Sequence, residues 1–277
     1  MLDIRIMTAN DFDFATEMTT RERWFHQRQD FLRLTAFEPR GCFIAWENED
    51  RVGMVCSTSQ QEYAFLSCLI VKEGHRGHQI GEALMRAAID YQQARGAETI
   101  ELDGVIPALP LYRRLGFRDK YLSLRFRRPP DPPSPISVAR PMSMTLEELL
   151  DYDHQRTGLN RGHILSRFHS EFADSLFAPP SDSPPGYAFV RPRANDSMAI
   201  GPLIADSLNA AGIILQSIVN VWGHKTLTIG VPEINRESAA LMLRHGFLYI
   251  QPSLRMYFGK QLSYERSVFA ILSAEKG

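Results

Sequence analysis

Two short strings recur at one spacing, and they constrain this chain more than any other feature. "RRLGF" ends at Phe117 and "LRHGF" at Phe247, 130 residues apart, and "SLRF" at 123–126 returns as "SLRM" at 253–256 with the same offset. Two signals at one period predict a duplicated domain rather than one large core. Five prolines then fall between Pro129 and Pro135 in "RRPPDPPSPISVARP". Proline fixes φ and carries no N–H, so neither helix nor sheet continues through such a run. The expected organisation is a first domain at 1–128, a linker at 129–136 and a second domain at 137–277.

Periodicity predicts the elements of the first copy. A strand is expected at 4–7, and a helix from Asn10 or Asp11 with helical continuation to about Leu34. "GCFIAWEN" and "RVGMVCSTS" read as strands joined by a turn at 48–50, followed by the strand "EYAFLSCLIV". A helix from about His78 to Arg95 carries Ile80, Leu84, Ala88 and Tyr91 at helical spacing and stops at Gly96. "ETIELDG" is a strand, "LPLYRRL" a short helix and "KYLSLRF" a last strand. In the second copy "DSLNAAGIILQSIVNVW" is a helix, "KTLTIGV" a strand, "NRESAALMLRHGF" a helix capped by Asn235, and "SLRMYF" lies in the last strand. The fold class is mixed α/β.

Composition removes several function classes. Thirty-one Lys plus Arg face 32 Asp plus Glu, for a formal charge of −1, so no general basic field points to nucleic acid. No run approaches the ~20 apolar residues of a membrane span, and "MLDIRIMTANDFDFATEM" has no apolar core of signal-peptide length. A cytoplasmic protein with no membrane partner is expected. Cys42, Cys56 and Cys68 are odd in number, sit in apolar strands and form no CxxC pair, which fits reduced core thiols. His75 and His78 lie three apart, but no HExxH or Cys/His quartet completes a metal site, so no metal is expected.

The most informative stretch is "LIVKEGHRGHQIGEALM", residues 69–85, where a strand turns through two glycines and restarts as a helix. The N–H groups of a helix's first turn lack intrahelical partners and carry the positive end of the dipole, so the junction suits a phosphate. Gly77 and Gly81 let the main chain approach such a ligand, and Arg76 can add a bidentate contact. The pattern is neither GxxxxGK[ST] nor GxGxxG, which argues against a nucleoside triphosphate or dinucleotide. An ordinary βα turn with a surface arginine is the other reading of these residues.

The order Leu69-x-Val71, then Arg76-Gly77-x-Gln79-x-Gly81, with "ALPLYRRLGF" downstream, resembles the GCN5-related N-acetyltransferases (GNAT). Their signature is Arg/Gln-x-x-Gly-x-Gly/Ala. The likeness extends over nearly the whole chain to bacterial tandem acetyltransferases with a degenerate second copy, through "RPM", "IGPLIAD", "VPEINRESAALMLRHGF" and "LRMYFG". It implies two GNAT-like domains, each a mixed, mostly antiparallel twisted sheet flanked by helices. It also implies acetyl-coenzyme A as co-substrate, held at Leu69, Val71, Arg76, Gly77, His78, Gln79, Gly81 and Glu82. Gln79 departs from the family, which usually has glycine there. A left-handed backbone would cost a non-glycine residue about 1–2 kcal/mol; a backbone open to any residue would instead let the amide donate to phosphate.

By the same resemblance the reaction is acetyl transfer to an amine, of a small molecule or a peptide, by direct attack in a ternary complex. Backbone N–H groups near Leu69 to Val71 would polarise the thioester carbonyl. Tyr112, four residues before Gly116, stands where the family places its general acid. Glu62 and Asp103, at strand ends, are the carboxylates available as base. In the second copy Met242 replaces the tyrosine and no counterpart of Arg76, Gly77 or Gly81 remains, so that copy is expected to be structural: closing the acceptor cleft, pairing the two sheets or forming a homodimer. The alternative for the whole chain is a non-catalytic acyl-CoA-binding module.

Overall fold

The computed structural model describes residues 1–132 and 144–277. In chain order the elements are β1 (Leu2–Ile6), α1 (Phe12–Arg21), α2 (Arg28–Phe37), β2 (Phe43–Glu47), β3 (Asp50–Gln60), β4 (Tyr63–Val71), α3 (Ile80–Ala94), β5 (Thr99–Gly104), α4 (Leu109–Arg114) and β6 (Arg118–Arg128). The second copy supplies α5 (Leu146–Thr157), α6 (Gly162–Phe172), β7 (Leu176–Phe177), β8 (Gly186–Arg193), β9 (Ser197–Ala205), α7 (Leu208–Trp222), β10 (Thr226–Pro232), α8 (Arg236–Arg244), β11 (Leu248–Gly259) and β12 (Val268–Ala270). The repeat holds in space. Phe117 N donates to Tyr112 O at 3.0 Å and Phe247 N to Met242 O at 3.1 Å, each across a left-handed glycine, Gly116 or Gly246.

The chain forms two compact units that do not coincide with its two halves. The first comprises Met1–Lys120, Arg255–Gln261 and Ala274–Gly277; the second comprises Tyr121–Leu254 and Leu262–Ser273. Most of β6 therefore belongs to the second unit and the end of β11 to the first. The expected boundaries at 128 and 137 differ from these units because the last strand of each copy crosses over. The expected linker lies in part outside the described residues.

In the first unit β1, β2, β3 and β4 pair antiparallel in order, β5 joins β4 in parallel, and the end of β11 lies beside β5. Lys260 N donates to Glu98 O at 3.0 Å and Thr99 Oγ1 to Lys260 O at 2.8 Å, fixing that last neighbour. Apolar residues of α1 and α2, including Phe12, Ala15, Phe31 and Leu34, pack on Ile44, Met54, Cys56, Cys68 and Ile70 of the sheet. All three cysteines are free and buried within the first unit. Helix α3 packs on β3 and β4.

The helix expected to run to Leu34 breaks at residues 22–27. Trp24 N and Phe25 N turn back to Thr19 O, and Arg23 and Phe25 take positive φ values of 59° and 51°. The second unit repeats the plan with β7, β8 and β9 antiparallel, β10 parallel to β9, and β6 antiparallel to β10 from Leu227↔Arg128 to Pro232↔Ser123. Its core gathers α7 residues Ala210, Ile214, Leu215 and Ile218 with Leu227, Ile229, Met242 and Phe247.

Candidate active site

Strands β4 and β5 pair only from Tyr63↔Thr99 to Leu66↔Leu102, and then separate. The cause lies in β4. Between Met54↔Ile70 and Cys56↔Ser67 strand β3 advances two residues while β4 advances three, and the extra residue is accommodated at Cys68, whose φ is 53°. Such a bulge bends the strand and leaves backbone groups outside the ladder. Residues 67–71 of β4 thus have no partner on β5, and Val71 O accepts instead from Arg76 Nε at 3.0 Å.

A cleft of about 510 Å³ opens at this split. Leu69, Ile70 and Val71 form one side, and Val105, Pro107, Ala108, Leu111 and Arg114 the other. His75, Arg76, Gly77, Gln79, Ile80, Gly81 and Glu82 close its end, with Glu22 and Trp24 from the connection between α1 and α2. Of the expected cofactor-binding residues, all but His78 border this space.

Helix α3 begins at Ile80, two residues later than expected, because Gln79 is its N-cap in the left-handed conformation, φ 62° and ψ 6°. The position does require the backbone that glycine tolerates, and about 1–2 kcal/mol of strain is stored there. Gly77, with φ 85° and no atom within 4 Å of an added Cβ, leaves open space over the turn. Gly81 is helical, and a Cβ there would meet only Leu111 at 3.5 Å and Val71 at 3.7 Å, an ordinary contact.

Side-chain charges around the turn are engaged locally. Arg76 Nη2 donates to Glu22 Oε1 at 2.5 Å and Nε to Val71 O at 3.0 Å. Glu82 accepts from Arg86 Nη2 at 2.8 Å, so its contribution at the helix start is its backbone N–H, not its carboxylate. His75 Nδ1 lies 2.9 Å from Glu47 Oε2. Among the described residues there is no group of three or more His, Cys, Asp or Glu able to hold a metal.

Tyr112 lies against the β5 side of the split. A Cβ added to Gly104 would sit 3.0 Å from its ring, and Phe117 meets it edge-on at 6.2 Å. Burial pushes its phenol well above the ordinary value, so the hydroxyl keeps its proton at neutral pH. Leu111, rather than Tyr112, borders the cleft.

Neither proposed carboxylate base is placed for that work. Glu62 is an exposed turn residue whose carbonyl accepts from Glu98 N and Thr99 N at 2.8 and 3.0 Å, at the start of β4. The cleft-lining residues Leu69, Ile70 and Val71 are at the other end of that strand, roughly 25 Å away at ~3.3 Å per residue. Asp103 does flank the split, but Arg255 holds it in a paired contact, Nε to Oδ1 at 2.7 Å and Nη2 to Oδ2 at 3.3 Å. Arg255 also donates to Glu101 at 3.0 Å, and Glu101 accepts from Lys120 at 2.6 Å and Tyr63 at 3.1 Å. Both carboxylates are therefore already engaged by buried cations rather than turned toward the cleft. Sequence reasoning missed Glu22, Trp24 and this charge cluster; the aromatic and charged run "RERWFHQRQD" was the available signal that residues 22–27 do more than continue a helix.

The corresponding split in the second unit is filled. β9 and β10 pair from Ser197↔Thr226 to Ile200↔Ile229 and then part, and β12 pairs with β9 at Ile204↔Val268 and Leu203↔Ala270. On the other side Ile271 N donates to Gly230 O at 2.9 Å. The connection from β9 to α7 is only residues 206–207, against 72–79 in the first unit, and Ser207 uses its own hydroxyl to cap Ala210 N. Met242, fully buried, stands in the place of Tyr112.

Comparison with known proteins agrees with this geometry. Residues 9–117 match the acetyltransferase (GNAT) family and residues 149–269 a second acetyltransferase (GNAT) domain family. An uncharacterised N-acetyltransferase of Methanocaldococcus jannaschii is 27% identical over 137 residues, which is 42% of this chain and 61% of that protein. A crystal structure from Pyrococcus horikoshii, assigned to the acetyltransferases, superposes with a TM-score of 0.83 at 22% identity, covering 100% of this chain and 96% of the other. A GCN5-related N-acetyltransferase from Sphaerobacter thermophilus gives 0.66 at 16% identity, covering 93% and 95%. The chain belongs to the GNAT acetyltransferase family, as a tandem protein with one GNAT domain in each half.

Proposed function

We propose that the first unit transfers an acetyl group from acetyl-coenzyme A to an amine by direct attack in a ternary complex, and that the second unit binds no cofactor. The observation that carries this reading is the split between β4 and β5, opening onto a left-handed N-cap and the start of α3. The residues fit the co-substrate. Arg76 and the first-turn N–H groups at Gly81 and Glu82 would hold the pyrophosphate, and the unpaired edge of β4 from Leu69 to Val71 would run beside the pantetheine. When bound, the thioester supplies the activated acetyl group.

The protein's part is to orient and to move protons. N–H groups at the bulge donate toward the carbonyl oxygen, and Tyr112, protonated at neutral pH, donates to the leaving sulfur. A non-catalytic acyl-CoA-binding module is the second reading. Two observations favour it: Gln79 is strained at the turn, and Arg76 is already paired with Glu22.

Tyr112→Phe separates the two readings. For an acetyltransferase, thiol release from acetyl-CoA with reactive amines should fall by ~10²-fold or more, the scale of one general acid, while calorimetric affinity changes less than about twofold. Equal turnover in the wild type and the variant would favour the binding module.

A further inference from the structure

The ionisable side chains that border the cleft of the first unit are Glu22, His75, Arg76, Glu82 and Arg114. All but the last are held by other side chains. Glu22 and Arg76 pair with each other, His75 lies against Glu47, and Glu82 accepts from Arg86. Arg114 is exposed, and among the described residues no carboxylate or carbonyl engages its guanidinium. Its neighbour Arg113 shows the contrast: it does not border the cleft, and Asp119 holds it, Nε to Oδ1 at 3.1 Å and Nη2 to Oδ2 at 2.6 Å.

Water solvates an exposed guanidinium well, so it is the position of Arg114 that points to a ligand. The packing of α4 fixes that position. A Cβ added to Gly104 would meet Leu109 at 2.9 Å and Tyr112 at 3.0 Å, so this side of α4 faces the end of β5. A Cβ added to Gly81 would meet Leu111 at 3.5 Å, so the Leu111 side faces the first turn of α3. Residues three apart share a helix face, which puts Arg114 on the Leu111 side, about 4.5 Å farther along the axis. Arg114 therefore stands beside the helix start assigned above to the pyrophosphate. The carboxylate nearest that start in sequence, Glu82, is already compensated by Arg86 at 2.8 Å.

Resting on the reading that coenzyme A occupies this cleft, we propose that Arg114 binds the 3′-phosphate of the co-substrate's adenosine and makes the site selective for coenzyme A over a form that lacks that phosphate. The pyrophosphate and the 3′-phosphate hang on the same ribose, so a cation next to the pyrophosphate site is placed for the second group. That phosphate is a monoester, with a charge of about −1.5 to −2 at neutral pH. A guanidinium fork meets two of its oxygens at once. Tyr112 is on the other side of α4, so Arg114 sets affinity and co-substrate choice and takes no part in acyl transfer.

Isothermal titration of the full chain with coenzyme A and with 3′-dephospho-coenzyme A tests the assignment. The wild type should bind coenzyme A about 3- to 10-fold more tightly, the scale of one exposed charge-assisted fork, and the preference should shrink as salt rises. Arg114→Gln should bring coenzyme A down to the affinity of the dephospho form. The dephospho form itself should stay within about twofold of its wild-type value, which also reports that the variant is folded. Arg113→Gln, one residue away and outside the cleft, should keep the full preference.

A wild type that binds both ligands alike, a preference that survives Arg114→Gln, or equal losses for both ligands in that variant would overturn the role given to Arg114. Binding of neither ligand by the wild type would instead overturn the reading of the first unit on which it rests.

Discussion

Each unit of this protein contains a pair of parallel strands that hold together for four residue pairs and then part, and the two splits have opposite fates. Between β4 and β5 the space remains open, bounded by a turn with a left-handed cap and by α4. Between β9 and β10 the chain fills it with β12 and the residue that follows. The fold alone therefore does not make an acyl-CoA site. In the proposed reading an acyl-CoA site needs three further features that the first unit has: a split left open, an eight-residue turn at 72–79 that presents a helix start, and a phenol in place of Met242. Where these are missing, the unpaired strand edges are satisfied from within the chain, as buried backbone groups must be.

The largest expected effect tests the walls of the open split. Arg255, fully buried, compensates Glu101 and Asp103 on β5. Arg255→Met leaves two buried carboxylates short of a partner and should cost about 3–5 kcal/mol in urea unfolding. A loss under about 1 kcal/mol would contradict that role for Arg255.

A second comparison concerns the two helix starts. Gln79→Gly relieves the left-handed N-cap of α3 and should stabilise the first unit by about 1 kcal/mol, or tighten acetyl-CoA binding by up to about tenfold if the strain is released only on binding. Ser207→Ala at the start of α7 should move stability the other way by about 1 kcal/mol, since a side-chain cap is lost. Thermal unfolding of both variants measures the signs; the same sign in both would contradict the difference between the turns.

The smallest effect concerns competition for Arg76. The pair it makes with Glu22 is partly exposed, with side chains 54% and 34% accessible, so it is worth only about 0.2–1 kcal/mol. Glu22→Gln should tighten acetyl-CoA by about 1.5- to 5-fold, and a loss of affinity would show that Glu22 supports the site rather than competing for its cation.

Much of this was legible in the sequence because it depends on local rules. The 130-residue repeat, the helix caps, the βα turn and the missing tyrosine of the second copy were all visible as strings. The crossing of β6 and β11 was not, and "SLRF" and "SLRM" show why. Two nearly identical strands present the same pattern to either sheet, so nothing local says which one lies beside β5. Arg255 reaches Asp103 across 152 positions of sequence and Glu275 reaches His26 across 249, and no periodicity reports such pairings. Glu62 and Asp103 were reasonable as strand-end acids; one proved to be at the wrong end of its strand and the other beside an arginine from the far end of the chain. The break at residues 22–27 was hidden because its reversal uses left-handed Arg23 and Phe25, with no glycine or proline to announce it.

The central claim is that the open split, and not the filled one, takes the co-substrate. Isothermal titration of the full chain with acetyl-CoA, in the wild type and in Arg76→Glu, tests it most directly. One site per chain is expected in the wild type and none in the variant. Two sites, or a single site that survives Arg76→Glu, would contradict it.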